Sequence, residues 1–381
     1  MRIFQVIEES SNYSISDNRT WYRNLYEPLQ EMGHEVVLFS AKEGRLAMQQ
    51  NDAKARAVFS QNMLDAFRRE HTRKPFSLFF SYLMDGMVEP AAIDEVRKSS
   101  LPTCNFSCNN AHQFDLVDDL SPHFDYNLHS EKETREKFLA IGANALWWPM
   151  ASNPKYFKPQ NLPRTKAVSF VGANYALRAR YIAYLLENGV SVDSYGPGWQ
   201  SGENTNWRAI ARRYKYLFMA SIALSPQAGY RASANLADQD FRRWMAARFP
   251  GNVHPPVSDE ELIALYSRSH ISLGFLEVYD QHDASRNVIR HLHLREFEAP
   301  MSGALYCTGY TDELAEMFEP DKEVLVYRGQ YELLEKVQFY LAHPAEAEKI
   351  RKSGLNRALR DHTYHKRFKK LFRSIGLNEN A

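Results

Sequence analysis

The chain has 381 residues, more than one hydrophobic core usually serves, so two domains are expected. It is 44% hydrophobic and 24% charged, ordinary for a globular protein, and its 47 basic residues nearly cancel 46 acidic ones for a net charge of +1. That balance offers no strongly basic domain, so no specific nucleic-acid partner is expected. Three cysteines, Cys104, Cys108 and Cys307, make no disulfide framework, and the first two lack CxxC spacing. With no long uncharged apolar run and no signal-peptide pattern in MRIFQVIEES, the expected location is cytoplasmic.

Arg2 to Ile7 is a β-branched and aromatic run that reads as a buried strand, followed by a polar loop, SSNYSISDNR. A helical pattern runs from Trp21 to Met32 and closes at Gly33, a plausible C-cap; His34 to Ser40 reads as the next strand. Strand, helix and strand in this order form one βαβ unit. FSLFFSYL (76–83), LPTCNFS (101–107) and FDYNLH (124–129) continue the series with helical stretches between them. Such short, continuously apolar runs suit a parallel sheet covered on both faces.

The texture changes around 149–165, where PMASNPKYFKPQNLPR carries four prolines and reads as an interdomain linker, placed at 151–165. A second series begins with KAVSFVGA (166–173), a strand into a glycine turn. LRARYIAYLLENG (177–189) is a helix and VSVDSYG (190–196) a strand. Residues 200–252 read as helices and loops. Ser258 and Glu261 form a capping-box pattern opening the helix DEELIALYSRS. HISLGF, ALYCTGY and KEVLVY read as strands, LREFEAPMSG and TDELAEMF as helices, and two further helices close the domain at about 363. The expected fold is α/β, with two Rossmann-like domains, 1–150 and 166–363, whose parallel sheets face a central cleft. Ligands of such sheets sit outside the carboxyl ends of the strands.

Two segments there carry chemistry. In FVGANYALRAR, Gly172 permits close backbone approach, Asn174 follows it, and the next helix points N–H groups at an anion beside Arg178 and Arg180. It is not GxGxxG, and a tight turn with solvated arginines explains it equally well. In HLREFEAPMSGALY, Arg295 and Glu298 are three apart and share a helix face. A carboxylate there can accept both ribose hydroxyls and an arginine can pair with a diphosphate; an ordinary surface ion pair is the simpler alternative.

Taken in order, FVGANYALRAR, SYGPGW, DEELIALYSRSHISLGF, LREFEAPMSGALY and HPAEAEKIRKSGLNRALRDHTYHKRF resemble the C-terminal domain of glycosyltransferases related to the spore-maturation protein CgeB, themselves similar to the group-1, GT-B-fold transferases. The resemblance covers about 168–370 and extends to the N-terminal domain in layout. It implies transfer of a hexosyl-type sugar from a nucleoside-diphosphate sugar to an unidentified glycan, protein or small-molecule acceptor, without a metal or other cofactor. It places Glu298 at the donor ribose. Arg290 stands where many group-1 members carry a glutamate that contacts the transferred sugar, and DASRNVIRH, with Asn287, is a further candidate lining of the donor site. A nucleotide-sugar epimerase of the same fold and a non-catalytic glycan-binding or assembly protein are the alternatives.

In the N-terminal domain the candidates follow strands: Asp17, Asn18 and Arg19 after the first, Asp85 after the third, and Asn109, Asn110 and His112 after the fourth. His112 is the leading candidate for a base taking the acceptor proton, with Asp17 and Asp85 as alternatives. Metal chemistry is not expected. Asp238-Gln239-Asp240 is formally a DxD in a segment that reads as helical or irregular, and His291 and His293 would fall on opposite faces of a helix. The tail YHKRFKKLFRSIG (364–376) reads as a basic helix that packs back towards the N-terminal domain, with peripheral membrane contact as the other reading.

Overall fold

The computed structural model describes residues 1–8, 19–200, 226–280 and 287–377. The chain divides into two compact units. The first comprises Met1–Tyr156 together with Ala358–Ala381, and the second Phe157–Arg357. The first boundary falls inside the proline-rich segment, and the second lies within the Pro344–Asp361 helix.

The first unit holds six parallel strands: β1 (Arg2–Ile7), β2 (Glu35–Ser40), β3 (Leu78–Ser81), β4 (Thr103–Ser107), β5 (Tyr126–His129) and β6 (Ala145–Trp147). Their order is β2-β1-β3-β4-β5-β6. Every residue of β1, β3 and β4 is buried, as expected for strands covered on both faces. Phe4, Phe59, Phe67, Phe76 and Phe79 lead one core cluster. β6 was not expected from the sequence; it is only three residues long and ends in two tryptophans, which gives no alternation to read.

The second unit repeats the plan with β7 (Val168–Val171), β8 (Val192–Tyr195), β9 (Val253–His254), β10 (Ile271–Leu273), β13 (Tyr306–Gly309) and β14 (Leu325–Tyr327). The order is β14-β13-β10-β7-β8-β9, again all parallel, with the direction of winding reversing between β7 and β10. That is the topological switch point at which doubly wound sheets open a crevice. A separate antiparallel pair, β11 (Glu277–Tyr279) and β12 (Val288–Arg290), rises from the end of β10. The Ser258 cap forms as expected, its hydroxyl accepting the Glu261 amide at 3.2 Å. Pro226–Arg248 is one long helix.

The tail helix, Tyr364–Ser374, buries Tyr364, Arg367, Phe368, Leu371 and Phe372 within the first unit. Phe368 meets Phe80 and Trp148 edge-on at 5.4 and 5.3 Å. The Arg367 guanidinium donates to the carbonyls of Pro149, Met150 and Asp361. The apolar stripe is therefore spent on the protein's own core, which removes the reading of this helix as one that lays its apolar face on a membrane. Among the described residues no helix is long and apolar enough to cross a membrane.

Candidate functional site

In the second unit the candidate residues gather at the carboxyl edge of the sheet, beside the switch point. The loop after β7 is held by the loop after β8. The Gly172 amide donates to Tyr195 O at 2.8 Å, Asn174 N to Pro197 O at 2.9 Å, and Asn174 Nδ2 to Gly198 O at 3.2 Å. Trp199 Nε1 closes the frame on Gly172 O at 2.6 Å. The backbones of Gly172 and Gly196 touch so closely that a Cβ on Gly196 would overlap the Gly172 carbonyl. A Cβ on Gly172 would lie 2.7 Å from Arg295 Nη2, so glycine is what lets this arginine lie against the loop. The amides of Ala173, Tyr175 and Ala176 find no acceptor among the described residues.

Arg178 is fully buried, and its role is to build this loop. Its guanidinium stacks on Tyr175, 3.6 Å from the ring centroid, and donates to Ala173 O at 2.9 Å, Tyr175 Oη at 2.5 Å and Phe275 O at 3.3 Å. Burial, with Arg295 nearby, lowers its pKa to about 10. Arg180 points elsewhere: half-exposed, it pairs with Asp238 at 3.3 Å and lies over Phe241.

The second segment forms the short helix Arg295–Met301. Its start is fixed by Glu296, which accepts from the His293 amide at 2.5 Å and from the Tyr306 hydroxyl at 2.7 Å. The helix begins after His293, so the expectation that His291 and His293 occupy opposite helical faces is wrong. They lie in extended backbone and their rings are 4.3 Å apart. Arg295 and Glu298 do lie one turn apart, yet no ion pair joins them. Neither side chain has a hydrogen bond or ion pair among the described residues. The Glu298 carboxyl is 7% exposed, and burial, reinforced by Asp259 and Glu296 and opposed by Arg295, pushes its pKa up to about 8. The buried Tyr266 hydroxyl, which raises no partner among the described residues, adds to this polar set. The simple alternative, an ordinary surface ion pair, is excluded by the geometry.

Asn287 sits exposed at the start of β12, its carbonyl accepting the Asp280 amide, and is not brought to the Arg295–Glu298 helix by any hydrogen bond. Arg290 is engaged from below by a residue the sequence did not single out. Glu277, opposite it in the β11–β12 register and 1% exposed, accepts Arg290 Nε at 3.1 Å and Tyr181 Oη at 3.5 Å. A carboxylate directly after an apolar strand is the signal that would have flagged it. The formal DxD lies on the Pro226–Arg248 helix, with Asp238 paired to Arg180 and Asp240 to Arg243 at 3.6 Å.

In the first unit His112, 8% exposed, lies in the loop after β4. Glu131, missed by the sequence reading, shapes that loop: its carboxylate takes the amides of Asn109 at 2.7 Å and Asn110 at 3.1 Å. Asn109 adopts φ +64°, a left-handed conformation that asparagine tolerates. Lys137 ties the same loop through Asn110 O and Ala111 O. Asp85 caps a different turn, accepting the amides of Asp119 at 3.1 Å and Leu120 at 2.9 Å. Burial, with Asp118 beside it, pushes its pKa up to about 7. Carboxylate oxygens of Asp85, Asp118 and Asp119 lie within 4.8 Å of one another. Arg19 opens the turn into Arg23, whose amide bonds to its carbonyl; Asp17 and Asn18 lie outside the described residues.

Residues 212–373 match a family model described as glycosyl transferase-like. No curated protein matches the chain. Among solved structures, sucrose-phosphate synthase from Thermosynechococcus elongatus aligns over 98% of this chain and 99% of its own, with TM-score 0.59 and 13% identity. The Anabaena protein HepE, solved in complex with UDP and glucose, aligns over 99% of each chain with TM-score 0.58 and 8% identity. A putative UDP-N-acetylglucosamine 2-epimerase from Listeria monocytogenes aligns over 94% of each chain with TM-score 0.50 and 9% identity. These likenesses establish the GT-B fold, and with the family match they support a glycosyltransferase.

Proposed function

We propose that the chain transfers a sugar from a nucleoside-diphosphate donor, held by the second unit, to an acceptor held by the first. One observation carries the reading: at the switch point an arginine and a glutamate one turn apart leave each other unpaired, beside backbone amides that also lack acceptors. A guanidinium, free amides and a carboxyl are the complement of a diphosphate and a ribose diol.

In this reading Arg295 and the amides of Ala173, Tyr175 and Ala176 take the diphosphate, and Glu298 takes the ribose hydroxyls. Arg178, Asn174, Gly172 and Trp199 hold the loop in place. When the glycosidic C–O bond breaks, negative charge builds on the departing diphosphate. Preorganised cations and dipoles stabilise it without reorganisation, so the reaction needs no divalent ion. The acceptor hydroxyl forms the new C–O bond and gives its proton to a base of the first unit, for which His112 is the leading residue. Asp85 serves its turn as a cap, which leaves it the weaker choice, and Asp17 remains a candidate on position alone. The glycosyl transferase-like match over 212–373 favours transfer over epimerisation. An epimerase would convert the sugar with no acceptor present, which product analysis separates.

The test is thermal stability against a panel of nucleoside diphosphates, with and without a chelator. A ligand that binds only the folded state raises the midpoint with its affinity. A midpoint shift with one nucleotide family, insensitive to chelation and lost in Glu298→Ala, is expected. No shift with any nucleotide in the folded wild type would overturn the donor site.

A further inference from the structure

The edge strand of the first unit carries a cluster that the donor chemistry does not use. Trp147 ends β6 at the sheet margin, in register with His129 of β5. Two residues beyond His129, Glu131 shapes the His112 loop, so Trp147 stands on the same carboxyl edge as that loop. Two ammonium groups from distant parts of the chain converge on its half-buried indole. Lys132 Nζ lies 5.0 Å from the ring centroid and Lys370 Nζ 5.7 Å. A ring attracts each cation, but two cations at one ring repel each other, and an anion between them relieves the repulsion.

Nearby carboxylates are committed elsewhere: Glu131 to two backbone amides and Glu136 to Arg135 at 3.2 Å. The tail helix adds Lys366, Lys369, Lys370 and Arg373 to its outer side and contains no carboxylate. Lys366, Lys370 and Arg373 make no ion pair among the described residues. The surface gathers anions, yet its helix has no apolar face left to insert, so a water-soluble anionic chain fits it better than a bilayer.

We propose that Trp147, Lys132 and Lys370 form a subsite for the anionic part of the acceptor, which makes the acceptor a phosphate- or carboxylate-bearing glycan. The inference rests on the transferase reading for the word acceptor and on this cluster alone for the site. Its test is calorimetry of the full chain with an oligogalacturonate and a phosphorylated oligomannose, each against its neutral counterpart, at low and high salt. One of the two anionic chains is expected to bind, more weakly at high salt, while the neutral ones do not. The Lys132→Gln/Lys370→Gln double variant, which alters only exposed side chains, should weaken binding by about tenfold, as two lost charge-assisted contacts imply. Trp147→Phe, which keeps an aromatic ring, should retain most of it.

The nucleotide-induced rise in midpoint should be unchanged in the double variant. Nucleotide binding with no anionic-chain binding, or a double variant that binds like wild type, overturns this subsite and leaves the donor site standing. Anionic-chain binding without any nucleotide binding overturns the acceptor assignment together with the transferase reading. Preferential binding to phosphatidylglycerol vesicles over both chains overturns the subsite in favour of a membrane surface.

Discussion

Glu298 carries two consequences at the residue scale. Its carboxyl titrates at about 8 in the folded chain against an ordinary value of 4.5, because it is buried without a hydrogen bond. The folded state therefore keeps a proton that the unfolded chain releases between those values. A folded pKa above the unfolded one makes an acidic group's contribution favourable at low pH and lost as pH rises through that window. Stability of the ligand-free protein should fall towards pH 8 with a slope approaching about 1.4 kcal/mol per pH unit from this group. Urea unfolding of wild type and Glu298→Gln across pH 5 to 8 measures it as the difference, since Asp85 and Glu296 are shifted in the same direction in both. Equal pH profiles would show that Glu298 is not buried as a neutral acid. Arg178 has a structural consequence instead: Arg178→Ala strips three acceptors of their donor and should cost about 3 kcal/mol, read by chemical denaturation, along with nucleotide binding.

At the scale of elements, the tail helix is a structural part of the first unit. Phe368→Ala should destabilise by roughly 3–5 kcal/mol, the usual range for emptying an aromatic core site. Arg367→Ala leaves the Pro149, Met150 and Asp361 carbonyls without their donor and should cost about 3 kcal/mol by the same measurement. Values near zero for both would mean that the helix is peripheral after all. The β11–β12 pair shows the opposite kind of surprise. Its strands are three residues each and flank the 281–286 segment, too short for periodicity to reveal, and they set Arg290 over the Glu277 carboxylate.

For the whole molecule, the chain path makes the first unit depend on both ends of the sequence. Truncation after Arg357 removes the tail helix and leaves the second unit whole. The truncated chain should lose cooperative unfolding of the first unit, while nucleotide still slows amide exchange at 172–178 and 295–301. Loss of nucleotide protection on truncation would instead show that the second unit does not hold the donor on its own.

Composition and apolar runs sufficed for the architecture. Buried parallel strands such as β1, β3 and β7 must be continuously apolar, and glycine must stand where backbones touch, so strand order along the chain and the Gly172 turn were legible locally. The carboxyl edge was legible too, because residues after strands of a parallel sheet must line it, and Arg295, Glu298 and His112 were found that way. What the chain alone could not reveal is which of those side chains pair with which. Arg178 turned inward because Ala173, Tyr175 and Phe275, close to it only in the fold, offered acceptors. Arg180 was drawn to Asp238, fifty-eight residues away, whereas Arg295 and Glu298 stayed unpaired although a single turn separates them. Pairing follows distance in space rather than along the chain, and only the tertiary structure sets that distance.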